Sequence, residues 1–147
     1  MMETRHETFQ AFGWPGTVIK DYTYWSVLVR PKQVTLGSMV LIAKSDAKAY
    51  SELSAEAFAE MHEVIADIEA AARQAFSYEK INYLMLMMKD PQVHAHVIPR
   101  YGSPKQFGET VFTDPGWPGP PDLTAGPDDA AIAAAVQDAL LEVWPNN

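Results

Sequence analysis

The 147-residue chain contains no cysteine, which excludes disulfides, thiolate zinc sites and cysteine nucleophiles. Cations are also scarce: 11 lysine and arginine residues stand against 19 aspartate and glutamate residues, for a formal net charge of −8. A surface of that charge cannot neutralise a long phosphate backbone, which argues against stable binding to long nucleic acid. A compact phosphate ligand is still compatible, because it needs only a few local cations and backbone N–H groups.

Long hydrophobic runs are missing too. The longest apolar stretch, residues 81–88, is far shorter than a membrane span and contains Asn82. The first seven residues are too polar for a signal peptide. We therefore expect a cytoplasmic protein that does not associate with a membrane, and the chain length suits one domain over residues 1–147.

A long helix is predicted to begin at Ser54. Ser54 can cap the first N–H groups, and Leu53 and Phe58 have the spacing of a hydrophobic staple. Apolar residues then recur at steps of three and four, which predicts one buried helix face. The members of that face are Phe58, Met61, Ile65, Ile68, Ala72 and Phe76.

The remaining elements are predicted from composition. Aromatic and β-branched residues predict a strand over 22–30, and residues 37–42 predict the next, opened by Gly37. Residues 1–21 predict an irregular arm. Gly and Pro are too dense in 101–127 for a helix or long strand, and a C-terminal helix is predicted over about 128–144.

The stretch 91–100 predicts a β-strand, because small or β-branched apolar residues alternate in it with polar or ionisable ones. Gln92, His94 and His96 therefore share one strand face. As same-face neighbours, the two histidines lie roughly 7 Å apart at the backbone, so both can act on one phosphate-sized ligand. A histidine pair on a strand is equally compatible with a structural, hydrogen-bonded role.

Residues 81–88 predict the preceding strand, and their near-continuous apolar character is typical of a strand covered on both faces. Residues 89–91 can close a hairpin into the histidine strand. In an unbulged hairpin of that length, Met88 faces Gln92, Leu86 faces His94 and Leu84 faces His96. Such aliphatic neighbours favour neutral, nucleophilic imidazole.

These residue types suit chemistry at phosphorus. A neutral imidazole is a good nucleophile, and the phosphoramidate that it forms is labile, so His94 suits a two-step displacement. His96 can hydrogen-bond a non-bridging oxygen or stabilise the charge that develops. Four cations, each equally typical of a solvated surface, are candidates for phosphate binding: Arg100 on the same strand, Lys89 in the hairpin, and Arg30 and Lys32 at the end of the first long strand.

Residues 92–100, Gln-Val-His-Ala-His-Val-Ile-Pro-Arg, resemble the signature of the histidine triad (HIT) family. That signature is His-φ-His-φ-His-φ-φ, commonly followed by Pro-Arg, and Gln92 stands at the position of its first histidine. The resemblance extends over most of the chain. It includes the aromatic-rich strand at 25–30, the glycine-opened strand at 37–42 and a Leu-Ser-x-Glu helix start at 53–56.

The resemblance implies an α+β, HIT-like fold: an antiparallel sheet of about five strands, one long helix and a C-terminal helix. It also implies a homodimer that binds nucleotides and acts as a hydrolase or transferase at the α-phosphate, with no metal or other cofactor. By motif position, His94 attacks phosphorus and His96 supports it.

Two departures from the family pattern alter these expectations. Gln92 can hydrogen-bond but cannot titrate, so proton handling differs and activity is expected to be lower. The Gly-Gln-Ser/Thr-Val phosphate loop of many members is also absent, because residues 88–91 are too short to supply it. We expect Lys89 to replace part of that loop.

Two other interpretations stay open. The altered motif is compatible with a regulatory protein that binds nucleotide and turns it over slowly. The His94-x-His96 pair is also compatible with a metal site, which needs a third ligand. No acidic residue follows His96 before Glu109.

Overall fold

The computed structural model describes residues 4–145, which form an α+β fold with a five-stranded antiparallel sheet. This confirms the predicted fold class. The elements in chain order are α1 (Glu7–Ala11), β1 (Val18–Asp21), β2 (Trp25–Val29), β3 (Met39–Ala43), a short 3-10 helix (Tyr50–Glu52), α2 (Ala55–Phe76), β4 (Lys80–Leu84), β5 (His94–Arg100), β6 (Lys105–Phe107), β7 (Thr110–Phe112) and α3 (Ala130–Val143).

The sheet has the order β1-β2-β3-β5-β4, so β5 is flanked on both sides by hydrogen-bonded strands. Because side chains alternate along a strand, β5 has two chemically different faces. Ala95 and Val97 belong to the main hydrophobic core, which includes residues of α2 and α3. His94 and His96 point to the opposite face.

Helix α2 begins as predicted, because the Ala57 N–H donates to Ser54 Oγ over 3.1 Å. The predicted buried face is wrong in part. Phe58 is 40% exposed and packs its ring against Tyr50, 5.1 Å between centroids, so it is not part of a buried staple. Small residues instead let the helix approach the sheet closely; the buried members are Ala57, Val64, Ile68, Ala71, Ala72 and Phe76.

The strand predicted over 81–88 is shorter than expected. β4 ends at Leu84, and Met87, with φ of 39°, has a left-handed backbone that cannot continue a strand. β4 is also an edge strand with half-exposed residues, so it is not covered on both faces. Of the three predicted pairs, Leu84 facing His96 is confirmed, whereas the Leu86–His94 and Met88–Gln92 pairs do not form.

Three other segments differ from their predicted form. The first long strand is confined to Trp25–Val29, and the next runs from Met39 to Ala43. The predicted arm contains helix α1 and strand β1, while residues 1–3 lie outside the described part of the chain. α1 is held in place by burial of Thr8 and Phe9, both of which have no exposed surface.

The Gly- and Pro-rich stretch 101–127 contains only the two short strands β6 and β7, which pair with each other. Helix α3 follows and is capped by Asp129, whose Oδ1 accepts from the N–H groups of Ala131 and Ile132. Among residues 4–145, no helix combines the length and apolar character needed to cross a bilayer.

Gly37 lies in the β2–β3 connection at a position where a side chain would collide with the core. Its φ is 90°, and a Cβ there would lie 2.7 Å from Phe76 Cδ2. We expect Gly37→Ala to lower the free energy of unfolding by about 2 to 4 kcal/mol, through left-handed strain and overpacking. Urea unfolding of the wild type and the variant measures this loss of stability.

The matched control is Gly108→Ala, since Gly108 also has a positive φ, 59°, but has open space around the Cβ position. Its cost is expected to be confined to about 1 to 2 kcal/mol of backbone strain. Equal losses in the two variants would contradict the proposed collision with Phe76.

Candidate active site

His94 and His96 lie side by side on β5, in the interior of the sheet. Their ring centroids are 5.1 Å apart and the rings are nearly perpendicular, at 85°. His94 is 1% exposed and His96 is 6% exposed. Two imidazoles are therefore packed against each other in a site that excludes water.

One hydrogen bond sets the tautomer of His94. Its Nδ1 lies 2.7 Å from the backbone carbonyl oxygen of Gln92. A carbonyl oxygen can only accept, so Nδ1 carries the proton, and in the neutral ring Nε2 is left with a lone pair. That lone pair is what a nucleophile at phosphorus requires.

His96 is a neutral side chain at ordinary pH. Burial lowers the pKa of His96 to about 4, and the nearby positive charge of Arg30 and the His94 ring add to this effect. Its Nδ1 is buried without a hydrogen-bond partner among the described residues. This atom is thus available to a ligand that enters the site.

The Gln92 side chain turns away from the imidazoles and connects the motif to α1. Its Oε1 accepts from Thr8 Oγ1 over 2.6 Å, and its Nε2 donates to Asp46 Oδ1 over 2.9 Å. The same Nε2 lies 3.4 Å from Glu7 Oε1. The bond from Gln92 lowers the pKa of the exposed Asp46 carboxyl. Gln92 therefore anchors the N-terminal segment and, through its carbonyl, orients His94.

The N-terminal segment covers both histidines. The Phe12 ring lies 5.9 Å from the His94 ring and 5.6 Å from the His96 ring, between centroids. Phe9 and Phe12 form a second apolar cluster on this face of the sheet, together with Leu28, Val40 and Ile42. With His94 only 1% exposed, the Phe12 ring is part of the cover over the two imidazoles.

Two of the candidate cations lie next to this covered site. Arg30 and Lys32 line a cavity of about 300 Å³ together with Phe12 and Asp128. Arg30 donates from Nη1 to the carbonyl oxygen of Lys32 over 2.9 Å, while its buried Nε has no partner among the described residues. Burial lowers the pKa of Arg30, and the acidic groups of Asp128 and Asp90 oppose that effect.

The other two candidate cations lie elsewhere. Arg100 is buried and forms a two-point ion pair with Asp114, at 2.7 and 3.0 Å, and also donates to Asn82 Oδ1 over 2.7 Å. Lys89 is exposed in the loop between β4 and β5. The structure thus brings Arg30 and Lys32 close to the histidines, and gives Arg100 a partner of its own.

Three residues of this site were missed from the sequence: Thr8, Phe12 and Asp46. The spacing of Phe9 and Phe12, one helical turn apart, was a signal for a buried helix face that could have been used. Thr8 and Asp46 carry no such signal, because only the tertiary fold brings them to Gln92.

A metal site would need a third ligand beside the histidine pair. Within the range 4–145, no group of three or more His, Asp or Glu side chains is placed to hold a metal ion. The pair therefore lacks a third protein ligand in the described part of the chain.

The chain matches a known protein family in sequence and several solved structures in fold. A family model described as HIT domain matches residues 15–103. The chain is similar to a solved histidine triad protein from Bradyrhizobium japonicum, with 21% identity, 96% of this chain and 98% of that chain covered, and a TM-score of 0.69. It is also similar to a histidine triad protein from Sinorhizobium meliloti, with 22% identity, 92% of this chain and 96% of that chain covered, and a TM-score of 0.67.

A hypothetical histidine triad nucleotide-binding protein from Sulfolobus tokodaii gives 15% identity, 86% and 82% coverage, and a TM-score of 0.64. At these identities the likeness to solved structures shows a common fold. A search of curated proteins gave no match.

Removing the Phe12 ring is expected to expose the histidines. In Phe12→Ala, diethyl pyrocarbonate should modify His94 and His96 about tenfold faster than in the wild type. The reagent reaches a buried imidazole through local opening of the structure, and a smaller opening is needed once the Phe12 ring is gone. Peptide mass spectrometry measures the rates, with the exposed His62 as internal reference. Unchanged rates at His94 and His96 would contradict the role of Phe12 as a cover.

The lowered pKa of His96 makes stability depend on pH. The unfolded chain protonates His96 below about pH 6.5, whereas the folded chain does so only below about pH 4, so the unfolded state binds more protons between these values. Stability is therefore lost as pH falls from 6.5 to 4. Relative to His96→Gln, we expect the wild type to lose about 2 to 3 kcal/mol more over this range.

Urea unfolding of both proteins at several pH values measures this difference. Groups other than His96 contribute equally to the two curves, so their difference reports His96 alone. Parallel curves of stability against pH for the two proteins would show that the pKa of His96 is not lowered.

Proposed function

The chain belongs to the HIT family, and from this premise we propose that it is a nucleotide-binding hydrolase or transferase acting through a covalent nucleotidyl-His94 intermediate. The substrate would be a nucleotide conjugate or a dinucleoside polyphosphate, attacked at the α-phosphate. The observation that carries the proposal is the 2.7 Å bond from His94 Nδ1 to the Gln92 carbonyl oxygen, which leaves the Nε2 lone pair free to attack.

The proposed reaction has two displacements at the same phosphorus. In the first, His94 Nε2 forms a bond to the α-phosphorus while the bond from phosphorus to the leaving group breaks. His94 is then an imidazolium, and its Nδ1–H stays hydrogen-bonded to the Gln92 oxygen, which stabilises the charge. In the second, water attacks the phosphorus, loses a proton to solvent, and releases a nucleoside monophosphate and neutral His94.

Neighbouring groups are proposed to bind the phosphate oxygens. His96 is neutral and its Nδ1 has no partner within residues 4–145, so it can donate a hydrogen bond to a non-bridging oxygen. Arg30 and Lys32 supply positive charge from the cavity beside Phe12. A dry site strengthens each of these interactions as charge develops in the transition state.

Gln92 is proposed to occupy the first histidine position of the family motif. Its amide cannot donate a proton to the leaving group, so the leaving group must take one from solvent or depart as an anion. We therefore expect good leaving groups, such as phosphate anions, to be favoured over amines. Lys89 and Arg100 are assigned smaller roles, because Lys89 is exposed and Arg100 is paired with Asp114.

Homodimer formation and a cytoplasmic location stay predictions. We expect a second copy to cover the edge strand β4, since Leu86 and Met88, directly after it, are 46% and 81% exposed. Apolar side chains next to an open strand edge are typical of surfaces that associate.

A slow nucleotide-binding regulator is the second candidate. The observation that favours it is the burial of His94 under Phe12, because turnover must wait for that cover to move. Tight nucleotide binding without a product that depends on His94 would support this alternative.

Product release from a small substrate panel tests the proposed function. Adenosine phosphoramidate, dinucleoside polyphosphates and adenylylated amines are incubated with the protein after chelation of free metal. We expect nucleoside monophosphate release by the wild type and a loss of at least about 10³-fold in His94→Ala, because the nucleophile is removed.

His62→Ala is the matched control, since it removes a histidine that is exposed on α2 and distant from the motif in sequence. It should retain the wild-type rate. Equal rates in the wild type and His94→Ala would overturn the covalent mechanism.

A further inference from the structure

Thr8 is a buried threonine whose hydroxyl bonds twice to Gln92, two residues before His94. It lies in α1, has no exposed surface, and is 84 positions from Gln92 in sequence. Thr8 Oγ1 donates to Gln92 Oε1 over 2.6 Å, and the Gln92 backbone N–H donates to Thr8 Oγ1 over 3.3 Å. One hydroxyl therefore binds both the main chain and the side chain of Gln92.

The neighbours of the Gln92 amide decide which way it faces. The ionised carboxylates of Asp46 and Glu7 only accept hydrogen bonds, so the amide nitrogen faces them, at 2.9 and 3.4 Å. The amide oxygen is then left for the Thr8 hydroxyl. Because a hydroxyl has a single proton, its donation to Oε1 leaves its lone pairs for the Gln92 backbone N–H. Both bonds of Thr8 can therefore form at once.

Both peptide units that flank the Gln92 Cα are held by residues outside β5. Thr8 binds the N–H of the first unit, and the second is held by the Val93 N–H, which donates to the Ala47 carbonyl oxygen over 2.9 Å. The carbonyl of this second unit is the Gln92 oxygen that lies 2.7 Å from His94 Nδ1. Its direction depends on the two backbone dihedral angles of Gln92, so it is fixed only when both units are held.

Anchoring of α1 does not require a hydroxyl at position 8. Phe9 has no exposed surface and packs in the apolar cluster on the histidine face of the sheet, so burial of its ring already holds α1 in place. An apolar side chain of the same shape as Thr8 would serve that purpose equally. The hydroxyl instead provides partners for buried polar groups of Gln92, which would otherwise have none.

Thr8 can act on His94 only through Gln92, and it lies outside residues 15–103, which the HIT domain model matches. We infer that Thr8 is a positioning residue for His94. By holding Gln92, its hydroxyl keeps the Gln92 carbonyl aimed at His94 Nδ1, so the proton stays on Nδ1 and Nε2 keeps its lone pair. The inference rests on the proposed function for its effect on turnover, and it adds a residue that does not touch substrate.

The tautomer of His94 tests this inference without relying on turnover. Long-range proton–nitrogen correlation spectra of isotope-labelled protein distinguish a protonated ring nitrogen from one with a lone pair. They are recorded at alkaline pH, where histidine rings are neutral. The His94 signals are identified by their loss in His94→Ala.

The two key variants separate the hydroxyl of Thr8 from its shape. We expect a protonated His94 Nδ1 in the wild type and in Thr8→Ser, which keeps the hydroxyl. In Thr8→Val, which keeps only the shape, we expect the Nδ1 and Nε2 signals to shift toward each other, because the second tautomer becomes populated.

Turnover of diadenosine triphosphate is the second readout. We expect Thr8→Val to lower kcat about tenfold and to leave KM within about twofold, because the reacting ring is misplaced while substrate binding is not altered. Thr8→Ser should keep kcat within about twofold of the wild type.

Thr17→Val is the matched control. Thr17 Oγ1 donates to the Phe12 carbonyl oxygen over 2.8 Å, so this variant removes a threonine hydroxyl that holds the N-terminal segment at a different point. It should keep the wild-type kcat and the wild-type His94 signals. A shift of those signals as large as in Thr8→Val would overturn the inference, since loosening of the segment alone would then explain the result.

Thr8→Ala gives the same test in a less crowded variant. It removes both bonds of Thr8 and leaves space in which water can bind Gln92, so its fold is less affected than that of Thr8→Val. We expect the His94 signals to shift in the same direction, by a smaller amount.

The outcomes separate the inference from the function on which it rests. Unchanged His94 signals in every folded variant that lacks the Thr8 hydroxyl would overturn the positioning role, whatever the loss of stability, and leave the proposed function standing. Absence of product with the wild type would overturn the proposed function, and the His94 signals would then decide the positioning role alone.

Discussion

The burial of β5 on both of its faces is the constraint on which the rest of this structure depends. Its odd-numbered side chains pack against the core shared with α2 and α3, and its even-numbered histidines lie under α1 and Phe12. Two imidazoles are thereby held where water is excluded. Burial lowers the pKa of His96, and the Gln92 carbonyl, 2.7 Å from His94 Nδ1, gives His94 the tautomer of a nucleophile.

The same burial makes the N-terminal segment part of the site. Gln92 binds Thr8 through its side chain and His94 through its carbonyl, so one residue connects the cover to the candidate nucleophile. Access to His94 and the position of Phe12 are therefore coupled. A cavity lined in part by Phe12, Arg30 and Lys32 lies next to the histidines.

Much of this fold could be predicted because its signals are local. The Ser54 cap, the alternation in β5 and the pairing of Leu84 with His96 each follow from a few neighbouring residues. What could not be predicted depends on contacts distant in sequence. Asp114 pairs with Arg100 from 14 residues away, and Phe12 packs against His94 across a much longer separation in sequence. The buried side of α2 was misassigned at its start because the small Ala57, rather than the neighbouring Phe58, is the buried residue there.

The most direct test of the central claim is to detect the nucleotide bound to His94. The protein is mixed with diadenosine triphosphate, quenched within a turnover in alkaline denaturant that preserves phosphoramidates, and mapped by peptide mass spectrometry. The account predicts one adenylyl group on His94 in the peptide from the β5 region, and none in His94→Ala. Product formation with no adduct, or with the adduct on His96, would contradict it.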